Sequence, residues 1–161
     1  MANKDQPQGL VPFGKVLSSK VYEAGSTVYP GDIVKMANDG QVDTCAAGAG
    51  VACGVALNYA TVGNPVLIAD SPDQKFIVQA DDGTVSAQTN IGLNYDITVS
   101  TADTLYRMSR IELDASSGVT NSNLLLRALA LEGSIDNTFG VNCDLIVKIN
   151  NHQLGNASEG L

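Results

Sequence analysis

The stretch Cys53–Asp70, CGVALNYATVGNPVLIAD, decides the fold. Cys53, Val55, Leu57 and Tyr59 alternate with Gly54, Ala56 and Asn58, a period of two that gives a strand one apolar face and one small or polar face. The alternation predicts a half-buried β-strand. Gly63, Asn64 and Pro65 interrupt it before Val66, Leu67 and Ile68 resume an apolar run in residues that favour strands, so the stretch predicts a hairpin.

The neighbouring sequence continues in the same style. Lys15 to Tyr22 alternates loosely, Tyr29-Pro30-Gly31-Asp32 reads as a turn, and Ile33 to Met36 reads as a strand. Asn38-Asp39-Gly40 is a hairpin signal, because Asp-Gly tolerates the positive φ of tight turns, and Val42 to Thr44 would pair back across it. Five short strands are thus expected between Lys15 and Ile68. Ser71-Pro72-Asp73 closes this unit, and Lys75 to Ala80 opens another before the turn at Asp81-Asp82-Gly83. In that second unit Leu105 to Leu113 reads as a strand carrying Arg107 and Arg110. Asn123 to Glu132 fits either a short helix capped by Asn121 or Asn123 and ended by Gly133, or a strand with Leu125, Leu129 and Leu131 and with Arg127 on one face, its length favouring the strand, and Leu145, Val147 and Ile149 alternate in a closing strand. The Leu-Asn-Tyr tripeptide recurs at 57–59 and 93–95, a likeness short enough to arise by chance.

The expected organisation is an extended arm over residues 1–14, a first β unit over 15–72, a second over 73–154 packed on the first, and a loose tail over 155–161. The fold class is all-β, an antiparallel barrel or sandwich. Pro7 and Pro12 exclude a stable helix or a central strand from the arm. Its apolar run Leu10, Val11, Pro12 and Phe13 is the candidate partner-binding segment.

Composition narrows the chemistry. The 161 residues carry 17 acidic against 9 basic side chains, a net charge of −8, so phosphate backbones would be repelled and nucleic acid is not an expected partner. No apolar run approaches the ~20 residues of a membrane helix, and no secretory leader is legible, so a soluble protein made in a cytosol is expected. Cys45, Cys53 and Cys143 lack metal-ligand spacing and read as reduced, buried thiols. No catalytic, cofactor or metal residues are nominated. Gly9 to Lys15 has the spacing of a phosphate loop, but Val16 stands where a hydroxyl must bind magnesium. Gly48 to Cys53 misses the last glycine of a dinucleotide fingerprint. His152, the only histidine, reads as a surface or packing residue, and Asp70, Asp73, Asp81 and Asp82 as turn carboxylates without calcium-loop spacing. The sequon Asn156-Ala157-Ser158 has no secretory route behind it.

Taken together, YPGDIVKMANDGQV, GVALNYATVGNPV, DQKFIVQADD, IGLNYDI, SRIELDASSG and LIVKINNHQL resemble the head decoration (cement) proteins of tailed bacteriophages. The resemblance covers about residues 3–154, with IELDASSG and KINNHQL its most distinctive parts. It implies a small, all-β, non-enzymatic homotrimer on the outer surface of the virion capsid. There it would bind the major capsid protein and brace the lattice, with the arm reaching onto neighbouring subunits. The rival expectation is another virion or surface β module, either a tail component or a carbohydrate-binding domain.

Overall fold

Asp39-Gly40 is a strong turn signal, and the backbone uses it as its chemistry dictates. In a computed structural model, which describes residues 2–83 and 85–155, Gly40 takes a φ of 84° and reverses the chain between two strands. Among the described residues the strands are β1 (Val11–Pro12), β2 (Ser19–Glu23), β3 (Ile33–Met36), β4 (Val42–Thr44), β5 (Gly54–Ala56), β6 (Pro65–Ala69), β7 (Lys75–Gln79), β8 (Asn94–Tyr95), β9 (Ile97–Thr98), β10 (Glu112–Leu113), β11 (Leu126–Leu131) and β12 (Asp144–Ile149). Only two single-turn 3-10 helices, Gln88–Asn90 and Ala115–Ser117, accompany them.

One antiparallel sheet has the order β2-β6-β5-β3-β4 and contains the five strands expected before residue 69. The hairpin of Cys53–Asp70 pairs Val55 with Ala69 and Ala56 with Ile68. A second sheet has the order β1-β7-β12-β11-β8, and β9 with β10 forms a separate ribbon. Both five-stranded sheets end in edges, so the all-β expectation is met by open, sandwich-like sheets and no barrel closes.

The larger apolar core joins the two halves of the chain. Ile33, Val55 and Ala69 of the first sheet meet Phe76, Val78, Leu126, Leu145 and Val147 of the second. A smaller core on the other face of the first sheet holds Val34, Val42, Ala56, Val66 and Ile68. Strand β5 lies between the two, so it is buried on both faces rather than half-buried. Gly54 and Ala56 are the small residues this position needs, since any Cβ at Gly54 would run into the backbone of Ala69.

Two other expectations need correction. Residues 105–111 are not a strand; only Glu112–Leu113 forms one, because Asp103 bends the preceding segment into a loop with its own carboxylate. Asn123 to Glu132 resolves as a strand over Leu126–Leu131, but its phase is not that of Leu125, Leu129 and Leu131 on one face. A bulge between Ala128 and Ala130 shifts the register, so Leu126 and Ala128 point inward before it and Leu131 packs on the core after it. The chain after β12 returns to the first sheet. Asn151 donates to the Gly50 carbonyl, Gln153 N–H donates to Ala52, and the Gln153 amide brackets the Met36 backbone. The sequon and all but Gly155 of the expected tail lie outside the described residues.

Candidate functional site

The arm does not hang free. Asn3 bonds the backbone of Thr138 and Val141, and the Gln79 amide donates to the Lys4 carbonyl while accepting from Gln6 N–H. Leu10 N–H then donates to Gly31 O, and β1 adds to the sheet beside β7 with Val11 opposite Ile77. Pro12 fits because it occupies an edge. Gly9 (φ 70°) crosses where a Cβ would stand 2.6 Å from Gly31 O and 2.7 Å from Ser109 Cβ, so only glycine permits the crossing.

Of the four candidate partner-binding residues, the structure separates one from the rest. Leu10 is 1% exposed and belongs to the larger core of its own chain. Val11 and Phe13 remain half-exposed, and Pro12 lines a shallow groove of about 190 Å³ with Val11, Leu57 and Met108.

Met108 belongs to a loop that sequence reasoning missed. Asp103 and Met108 exchange backbone bonds of 2.8 and 3.0 Å, closing residues 103–108 into a tight knuckle. One oxygen of the Asp103 carboxylate accepts from Leu105 N–H and Tyr106 N–H, each at 3.0 Å, and the other meets the Arg110 guanidinium at 3.0 Å. These bonds to Tyr106, Arg110 and Leu105 hold the Asp103 carboxyl below its ordinary range. Leu105 and Tyr106 project from the tip, 81% and 72% exposed. Arg107 adopts a left-handed φ of 51°, and its guanidinium lies 4.6 Å from the centre of the Tyr59 ring, which in turn packs 5.2 Å from Tyr29.

The base of the knuckle is anchored as firmly. Ser109 N–H donates to Pro30 O, and Asp32 accepts from Tyr29 N–H at 2.8 Å. Burial pushes the Asp32 carboxyl up, against the bonds from Ser109 and Tyr29 that favour its charge. Residues 5–8 of the arm and residues 100–112 share a second groove of about 470 Å³, lined by Tyr106, Met108 and Arg110. Arm and knuckle therefore form one continuous face. The signal in sequence was Asp103-Thr104-Leu105-Tyr106, an Asx turn followed by two of the chain's three arginines.

Elsewhere the titratable groups are structural. Asp70, nominally a turn residue, is buried; burial alone would raise it, but bonds from Ser18 and Tyr22 and the Lys20 ammonium at 3.4 Å hold it low. Asp81 likewise ties its turn to neighbours, accepting from Gly83, Ala115 and Thr98. The three cysteines are buried and free, with burial pushing Cys45 and Cys53 up to about 12. Among the described residues no group of three or more His, Cys, Asp or Glu is placed to hold a metal ion, and no helix is long and apolar enough to cross a membrane. No protein-family model matches the sequence, and no curated protein matches it.

Proposed function

We propose that this chain is a non-catalytic adhesion protein, and that it serves as a head decoration protein of a tailed bacteriophage. It would sit on the outer capsid surface as a homotrimer and brace the lattice of the major capsid protein. The observation that carries adhesion is the pre-ordered Leu105–Tyr106 tip beside the arm. An apolar and an aromatic side chain are held out by a loop already fixed at Asp103, so little ordering cost remains on binding. The choice of a capsid as partner rests on the resemblance in sequence, and the acidic surface suits a molecule that must avoid packaged DNA.

Co-sedimentation with heads that lack decoration protein tests the reading. The wild-type chain should saturate the heads, and Leu105→Asp combined with Tyr106→Ala should weaken binding by thirtyfold or more, about 2 kcal/mol, with an unchanged melting temperature. Absence of wild-type binding to any such head would remove the capsid assignment, and full binding by the double variant would remove the knuckle. A sugar-binding reading is favoured only by the exposed ring of Tyr106, and a glycan panel bound through that ring would replace the proposal.

A further inference from the structure

The outer face of the second sheet carries a cleft of about 410 Å³ whose lining includes no residue of the knuckle. Register sets its floor. Phe76 and Val78 point into the shared core, so alternation turns Ile77 and Gln79 outward, and their cross-strand partners Val11 and Asp144 share that face. The arm forms one wall and the loop from Ser134 to Asn142 the other. The volume falls within the roughly 300–1,000 Å³ of ligand clefts.

Three carboxamides in this cleft share one habit. Asn3 accepts from Thr138 N–H at 3.1 Å and donates to Thr138 O at 2.8 Å, and Asn137 does the same for Asp144, at 2.9 and 2.8 Å. Gln79 accepts from Gln6 N–H at 2.9 Å and donates to Lys4 O at 2.6 Å. Each uses both ends of its amide on peptide groups of this chain, as a neighbouring strand would. Both walls are thereby fixed before anything binds. Among the described residues, the side-chain amides of Gln6, Gln8 and Asn142, which also line the cleft, make no hydrogen bond, and the Asp136 and Asp144 carboxylates meet no donor. The same space is thus lined by amides already clamped to backbone and by amides with donors and acceptors unused.

We propose that this cleft takes an extended peptide segment of a binding partner and grips it through its main chain, Gln6, Gln8 and Asn142 holding its N–H and C=O groups as Asn3, Gln79 and Asn137 hold those of this chain. A carboxamide carries an acceptor and two donors, the complement of a peptide unit, and recognition through the backbone tolerates many side chains. Charge sets the one restriction. Asp136 and Asp144 are paired with no cation among the described residues, Lys4 of the lining included, so they repel an acidic segment and favour a neutral or basic one. Ile77 and Val11 supply the apolar part of the floor, against which a small side chain packs.

This inference does not depend on the capsid reading, since cleft and knuckle share no residue. The test uses the full chain and two probes of one shape: N-acetyl-trialanine N-methylamide, and its depsipeptide analogue with an ester oxygen in place of each N–H. Followed by NMR, the peptide should shift the side-chain amide resonances of Gln6, Gln8 and Asn142 saturably, and the ester should bind several-fold more weakly. Gln6→Ala combined with Gln8→Ala, both at exposed positions, should weaken peptide binding about tenfold, the loss of two hydrogen bonds, at an unchanged melting temperature. Asn142→Gly, which keeps the left-handed backbone, serves in its place should the double variant not fold. Leu105→Asp with Tyr106→Ala should leave peptide binding intact, so this inference and the knuckle fail separately. No saturable shift, equal binding of peptide and ester, undiminished binding by the folded cleft variant, or loss of binding in the knuckle variant would overturn it.

Discussion

His152 shows how one side chain can be fully packed and still incompletely satisfied. It is 6% exposed; Nδ1 accepts from Leu154 N–H at 3.1 Å, which leaves the proton on Nε2, a buried atom with no hydrogen-bond partner among the described residues. Burial lowers the basicity of the ring, and the nearby Asp70 carboxylate offsets this only in part. A histidine depressed in the folded state contributes stability that is whole above its unfolded value of 6.5 and is lost as pH falls from there through the folded value. Each unit of depression corresponds to about 1.4 kcal/mol. Because it is the only histidine, its imidazole resonance should titrate alone, with a midpoint below 6.5, and His152→Gln should remove that share of the acid destabilisation. A midpoint at or above 6.5 would refute the account of its environment.

At the level of elements, the arm has become part of the fold. Leu10 fills the shared core and Gly9 threads between Gly31 and Ser109, so Leu10→Ala should cost about 2–5 kcal/mol in denaturant unfolding, whereas Phe13→Ala should cost far less. Equal effects would mean that the arm is not seated as described. Removal of all of residues 1–14 is therefore a test of stability as well as of binding. The elements that could be read from sequence were those with local rules: the Asp39-Gly40 hairpin, the strand Ile33–Met36, the alternation of β12, and the exclusion of Pro12 from a central strand. The failures lay where a side chain or a bulge overrode the period of two. Asp103 captured two backbone amides within what looked like a strand, and the bulge in β11 exchanged its faces. Likewise, Leu10 as a core residue was beyond reach, because its role depends on sheet neighbours far along the chain. The exposed tip at Leu105 and Tyr106 was hidden by the same misread strand.

Across the whole molecule, the two β units named from sequence do not behave as separable bodies. Val55 and Ala69 from the first half share a core with Val147 and Leu145 from the second, and the chain after β12 returns to bond Gly50, Ala52 and Met36. Neither inner face can be exposed without stripping the other, and the return segment adds polar bonds that break only if both sheets part. Unfolding should therefore be all-or-none. Calorimetry of the intact chain should show a single transition whose calorimetric and van't Hoff enthalpies agree, near 110 kcal/mol at about 60 °C for 161 residues. Val55→Ala in one sheet and Val147→Ala in the other should each move that one transition downward as a whole. Two resolved transitions, or one substitution shifting only part of the heat absorption, would show that the halves keep separate cores.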